Sequence, residues 1–273
     1  MTINCKGNLI DLSTPKIMGI LNVTPDSFYD GGSYKNETEI LSQVEKMIDE
    51  GATFIDVGAY SSKPGADFVS DEEELNRILP VIDLLLNKFP DVLLSIDTFR
   101  SNVAKQAINK GAALINDISA GMLDDNMLQT VAQLKVPYVM MHMKGTPQNM
   151  QSQAIYDDVV KEVMFYFSER INAARKLEIN DVIVDPGFGF AKTLEHNYEI
   201  MQNLDFFSIL ELPVLVGISR KSMIYKLLEN EPKDALNGTT VLNTIALQKG
   251  AQILRVHDVK EAQECIKIYN QLK

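Results

Sequence analysis

Eight short apolar runs punctuate the chain, each followed by an amphipathic stretch. The runs are Ile17–Leu21, Phe54–Val57, Leu93–Ile96, Leu114–Ile115, Tyr138–Met141, Val182–Val184, Val214–Val216 and Ile253–Val256. Runs of this length, too short for helices and apolar throughout, read as strands buried on both faces, as in a parallel sheet. The intervening periodicity predicts helices over Glu37–Glu50, Asp71–Lys88, Arg100–Lys110, Asn126–Lys135, Ile155–Lys176, Leu194–Leu204, Asp234–Lys249 and Val259–Leu272. A strand then a helix, eight times over with no composition break, is the count of an α/β fold of the TIM (β/α)8 barrel type. A doubly wound open sheet is the alternative. One barrel domain over residues 1–273 is expected, with a short N-terminal hairpin around Lys6-Gly7-Asn8 capping its bottom. Ser70 before Asp71-Glu72-Glu73 reads as a helix N-cap, and Gly51, Gly111 and Gly250 read as helix stops.

Composition narrows the class. Hydrophobic residues make up 45% and charged residues 23% of the chain, as in ordinary globular proteins. No apolar run approaches the length of a membrane span, and the N-terminal residues show no secretory h-region. The two cysteines, Cys5 and Cys265, have no disulfide or zinc spacing, so a cytoplasmic protein is expected. A net charge of −11 with no basic stripe argues against nucleic acid. An anionic substrate would need a local cluster of cations against that field.

The polarity of the strands brings polar residues to one rim. The first strand empties at Asn22 into a loop carrying Thr24, Asp26, Ser27, Phe28, Asp30, Gly31 and Gly32, and the second into Tyr60-Ser61-Ser62-Lys63-Pro64-Gly65. Later strands end in Asp97-Thr98, Asn116-Asp117, Met141-His142-Met143, Asp185-Pro186-Gly187, Gly217-Ile218-Ser219-Arg220-Lys221-Ser222 and Arg255-Val256-His257. Polar groups at the C-terminal ends of barrel strands read as a site. Asp97, Asn116, Asp185 and Lys221 suit a flat heterocycle with N–H donors along one edge, since a carboxylate takes two parallel N–H bonds. Ile118, Met141, Phe190 and Leu215 would be its apolar walls. Arg255 and His257, two apart on the last strand, would face an anion together. Bland readings stand beside these: helix caps for Asp97, Asn116 and Asp185, a structural role for His257, an ordinary turn after Asn22. His142 and His196 have no such company, and His196 is expected to face solvent.

The segments IMGILNVTPDSFYDGGS, GAYSSKPGA, SIDT, IND, MHM, DPGFGFAK, GISRKS and RVHDV resemble, in order, the strand-end motifs of the dihydropteroate synthases, folate-pathway enzymes. The resemblance covers residues 10 to 270. It implies a TIM barrel that joins (7,8-dihydropterin-6-yl)methyl diphosphate to 4-aminobenzoate, giving 7,8-dihydropteroate and diphosphate for tetrahydrofolate synthesis. By the same resemblance, Asp97, Asn116, Asp185, Lys221 and Arg255 would hold the pterin, with Ile118, Met141, Phe190, Leu215 and Gly217 around it. Asn22 (through Mg²⁺), Ser62, Lys63, Arg255 and His257 would hold the diphosphate. Phe28, Ser62, Lys63, Pro64, Phe190, Lys221 and Ser222 would line the 4-aminobenzoate site. Asp30, Lys63, Lys221 and Arg255 would act in catalysis, and a homodimer is implied. Where the family commonly reads Glu-Ser-Thr-Arg-Pro-Gly, this chain has Lys63 in place of the arginine and loses its planar fork. A related pterin-dependent methyltransferase domain and a non-catalytic pterin-binding protein are the rival readings. The first would not need the loop after Asn22 or the SRKS and RVH segments.

Overall fold

A computed structural model describes residues 1–23, 34–60 and 69–272. The chain begins with an antiparallel hairpin, β1 (Thr2–Cys5) and β2 (Asn8–Asp11), turned by Lys6 and Gly7. Both turn residues have positive φ, 54° and 84°, the twist that a two-residue hairpin loop requires. Eight parallel strands follow: β3 (Lys16–Asn22), β4 (Phe54–Gly58), β5 (Leu93–Asp97), β6 (Leu114–Asp117), β7 (Tyr138–Met141), β8 (Val182–Asp185), β9 (Leu215–Val216) and β10 (Ile253–Val256). Hydrogen bonding orders them β8-β7-β6-β5-β4-β3-β10-β9. A bridge between Val184 and Val214 brings β8 and β9 together, so the barrel is all but closed.

The helices are α1 (Tyr34–Asp49), α2 (Asp71–Lys88), α3 (Ser101–Asn109), α4 (Met127–Leu134), α5 (Val159–Lys176), α6 (Leu194–Gln202), α7 (Ser222–Tyr225), α8 (Leu236–Gln248) and α9 (Val259–Gln271). None of the described helices is long and apolar enough to cross a membrane. Ser70 caps α2, its side chain accepting from Glu73 N at 3.2 Å. Two helix expectations fail locally, and one short helix was not expected. The helix expected from Ile155 starts at Val159, because Asp158 turns the chain in and accepts from Lys161 N at 3.0 Å. The one expected over Leu194–Leu204 stops at Gln202 and gives way to a 3-10 turn, Leu204–Leu210. The single turn of α7, four residues long, is too short to show a periodicity.

Side chains alternate across each strand. One set, including Ile17, Ile55, Leu94, Ile115 and Val184, packs beneath the helices. The other points inward and forms layers. The lowest holds Met18, Phe54, Leu114, Val139, Ile183, Leu215 and Ile253, and the hairpin's Ile3 and Cys5 with Leu12 complete this cluster from below. Two residues further along the strands, the layer becomes polar: Phe54 gives way to Asp56, Leu114 to Asn116, Ile183 to Asp185 and Ile253 to Arg255. An apolar floor under a polar chamber is thus written into the period of two.

Candidate active site

Asp56 sits at the middle of the polar layer with no solvent exposure. Its Oδ1 accepts from Ser95 Oγ at 2.5 Å, and its Oδ2 accepts from Asn116 Nδ2 at 3.0 Å and Arg255 Nε at 2.6 Å. The other arm of Arg255 donates to Asp97 Oδ2 at 2.7 Å. Burial works against the guanidinium charge, but Asp56 and Asp97 outweigh it and hold the Arg255 pKa above its usual value. Burial pushes the Asp97 carboxyl up to about 7 against the pull of Arg255. Asp185 is likewise raised by burial, with Lys221 opposing, and its Oδ1 accepts from Gly187 N at 2.8 Å.

Lys221 comes from the segment between β9 and α7. Its Nζ donates to Phe188 O at 2.6 Å and stands 4.9 Å from the centre of the Phe190 ring. Burial lowers its pKa to about 8, with Asp185 resisting. A Cβ at Gly217 would stand 3.8 Å from Arg255 and 3.9 Å from Asp185 Oδ2, so the missing side chain leaves a slot between these two charges. Ile118 and Met141 join Met143, Met150 and Ala191 in an apolar cluster beside which Phe190 packs. The chamber therefore offers carboxylates, an amide and an ammonium around a narrow space with one greasy side. That set matches a flat, donor-rich ring.

The structure corrects several expectations. Arg255 and His257 do not stand side by side. Arg255 is committed to two carboxylates inside the barrel, whereas His257 is exposed at the rim with Nδ1 3.0 Å from Ser219 Oγ. The reason is depth: two residues along a tilted strand carry a side chain from the chamber to its mouth. Leu215 is fully buried in the floor cluster, one layer beneath the wall expected of it. The helix-cap readings fail for Asp97 and Asn116, since the N-cap positions of α3 and α4 are Arg100 and Asn126, neither with a side-chain cap bond. His196 does not simply face solvent. It closes a capping box with Thr193 and stacks edge-on against Tyr156 at 5.0 Å. His142 is buried, with Lys192 Nζ 2.9 Å from its Nδ1. Asp117 turns away from the chamber and holds Ser119, Gly121 and the Tyr138 hydroxyl.

Asp56 and Ser95 were not singled out in the sequence, because each lies inside an apolar run. The signal was available: an aspartate between Ile55 and Val57 in a strand this apolar needs internal donors to be buried at all.

Residues 18–257 match the family described as pterin binding enzyme. A dihydropteroate synthase of Haemophilus influenzae is 43% identical over 98% of each chain, and that of Escherichia coli is 43% identical over 98% of this chain and 95% of its own. The Yersinia pestis dihydropteroate synthase, solved in complex with a sulfonamide drug, superposes with a TM-score of 0.93 at 43% identity, covering 100% of this chain and 99% of that one. The chain belongs to the dihydropteroate synthase family. It is accordingly an enzyme, a transferase, and the methyltransferase and non-catalytic readings are displaced.

For a dihydropteroate synthase, the remaining expected residues fall in two groups. Asn22 is exposed at the end of β3, in register with Gly58, and Ser222 opens α7 directly after Lys221. Phe28, Asp30, Ser62, Lys63 and Pro64 lie outside the described residues. Among the described residues no group of three His, Cys, Asp or Glu side chains is placed to hold a metal. The neutral side-chain oxygen of Asn22, exposed at the end of β3, is a donor of the kind Mg²⁺ takes beside water and substrate oxygens.

Proposed function

We propose that the chain condenses (7,8-dihydropterin-6-yl)methyl diphosphate with 4-aminobenzoate to 7,8-dihydropteroate and diphosphate, in tetrahydrofolate biosynthesis. The observation that carries the substrate reading is the chamber itself. Asp185 and Arg255 flank the slot left by Gly217, Arg255 ties Asp97 and, through Asp56, Asn116 into the same polar layer, and Ile118, Met141 and Phe190 form the apolar cluster. A pterin presents an amino group and ring N–H groups along one edge, the complement of a carboxylate.

At the reacting methylene the dihydropterin ring can delocalise a developing cation, so bond breaking runs ahead of bond making. What the protein supplies is then electrostatic and positional. Asn22, Ser62, Lys63 and His257 receive the diphosphate at the mouth, while Arg255, from inside the chamber, adds a fixed positive charge. Asn22 would hold a Mg²⁺ ion, which would supply charge neutralisation of the leaving group. By the resemblance, Asp30 is assigned to the methylene, and Phe28, Pro64, Phe190, Lys221 and Ser222 to 4-aminobenzoate. The Xanthomonas albilineans enzyme, with a TM-score of 0.91 at 38% identity, was solved with 4-aminobenzoic acid, in keeping with such a site. A cytoplasmic homodimer completes the reading.

The test is diphosphate release from the pterin diphosphate in the presence and absence of Mg²⁺ and 4-aminobenzoate, with sulfonamides as inhibitors. Mg²⁺-dependent formation of 7,8-dihydropteroate is expected, with sulfonamides competing against 4-aminobenzoate. Pterin binding without turnover would instead support a binding protein, and competition against the pterin diphosphate would misplace the second ring.

A further inference from the structure

Lys192 ends the segment Asp185-Pro186-Gly187-Phe188-Gly189-Phe190-Ala191-Lys192, and the proposed reaction gives it no part. Its side chain is buried, 4% exposed, and among the described residues it forms no ion pair. Burial holds its pKa well below the usual lysine value, and Asp185, not in direct contact, is the charge that opposes the shift; burying an ammonium without a counter-charge in contact is costly. What it finds instead are three polar neighbours: Gly187 O at 2.9 Å and Phe190 O at 3.0 Å, which accept from it, and His142 Nδ1 at 2.9 Å, with His142 O more distant at 3.5 Å. His142 Nδ1 accepts only when the imidazole proton is on Nε2. Methionine or leucine at this position would take a donor from the Phe190 carbonyl and from the imidazole nitrogen, and would leave Gly187 O with only Phe190 N as a partner. An amine is the group the geometry asks for.

A second observation points the same way. Gly187 has φ +71°, and a Cβ there would lie 2.1 Å from His142 O. The loop after β8 is therefore pressed, backbone to backbone, against the end of β7, where His142 N also donates to Asp185 O at 3.0 Å. Only glycine permits that approach, and Lys192 ties it from the other side. The same few residues serve the chamber. Gly187 N holds Asp185, Phe188 O holds Lys221, and the Phe190 ring lies beneath the Lys221 ammonium.

We propose that Lys192, with His142 as its acceptor, is a positioning residue that locks residues 186–190 so that Asp185, Lys221 and Phe190 face the substrates together. It touches neither substrate. The proposal rests on the reading of Asp185 as a pterin ligand and of Phe190 and Lys221 as 4-aminobenzoate neighbours.

The experiment compares wild type with Lys192→Met, His142→Phe and Asp185→Asn. For each, circular dichroism and thermal unfolding check the fold, calorimetry gives the pterin Kd, and steady-state kinetics give kcat and both KM values. With the lock lost, Lys192→Met should raise the pterin Kd and the 4-aminobenzoate KM by about tenfold or more in a folded protein, the scale of one lost charged hydrogen bond. A purely structural role would lower the unfolding temperature and leave Kd and KM at wild-type values, and that outcome overturns the proposal. Should Lys192→Met fail to fold, His142→Phe removes one acceptor alone and must raise the same two constants; unchanged constants there overturn it equally. Asp185→Asn separates the two layers of inference. If it weakens pterin binding while the folded Lys192→Met does not, the lock is wrong and the pterin site stands. If it leaves pterin affinity intact, the pterin reading itself has failed.

Discussion

A carboxylate shut away from water must collect donors, and Asp56 collects three, from Ser95, Asn116 and Arg255. Two of these are chamber residues, so Asp56 sets how they present themselves: one amide proton of Asn116 is given to Asp56, which fixes the plane of its amide. Asp56→Asn should therefore cost about 3–5 kcal/mol of folding stability, the scale of a broken buried ion pair. It should also weaken pterin binding, as read by urea unfolding and calorimetry. The titrating groups make a second expectation. Asp97 must be ionised to accept the pterin's protons and has a pKa of about 7, while Lys221 must be charged and has a pKa of about 8. The pH profile of kcat/KM should rise through about 7 and fall through about 8, and Lys221→Met should remove the alkaline limb. A flat profile from pH 6 to 9 would mean that neither group titrates in the free enzyme. The effect on stability has a definite sign. Asp97 is raised in the folded state, so between about 4 and 7 the folded chain holds more protons than the unfolded one. Its contribution therefore makes folding less favourable as pH climbs through that window, and is unchanged beyond it.

At the scale of elements, the hairpin β1–β2 has no role at the rim and closes the opposite end. Ile3, 1% exposed, belongs to the floor cluster with Met18, Phe54 and Leu215. Ile3→Ala should cost roughly 2–5 kcal/mol in denaturant unfolding while the pterin Kd stays at its wild-type value. A changed Kd would mean that floor and chamber are coupled. The hairpin, the eight strands and their polarity were legible in the sequence because each rests on a local rule: a left-handed turn at Lys6-Gly7, or short apolar runs ending in polar residues. What was not legible depended on depth. Arg255 and His257 look equivalent at a spacing of two, yet one reaches inward to Asp56 and the other ends at the mouth beside Ser219. Asp56 was hidden inside the run Phe54–Val57 that identified its strand. Lys192 looked like the tail of a motif, and its partners are 50 residues away at His142 and five away at Gly187.

On the scale of the molecule, the barrel is not equally strong all round. β9 contributes two residues, Leu215 and Val216, paired to β10, and across its other side a single bridge, Val184 to Val214, makes the join with β8. Asp185 stands on one side of that join, and Gly217 and Lys221 on the other. A pterin held by Asp185 and Lys221 at once spans it. Saturating pterin, about a hundred times its Kd, should add about 2.7 kcal/mol to global stability by mass action alone. Beyond that general gain, hydrogen exchange should slow most at the amides of residues 214–216; uniform protection around the barrel would show that the join is no softer than the rest. The reactant is then also a rivet. Cleavage follows the population of locally opened states, so if this join is the soft part of the barrel, proteolysis there should slow when pterin is added. The amount of this enzyme that survives in a cell would thereby follow the supply of its own pterin.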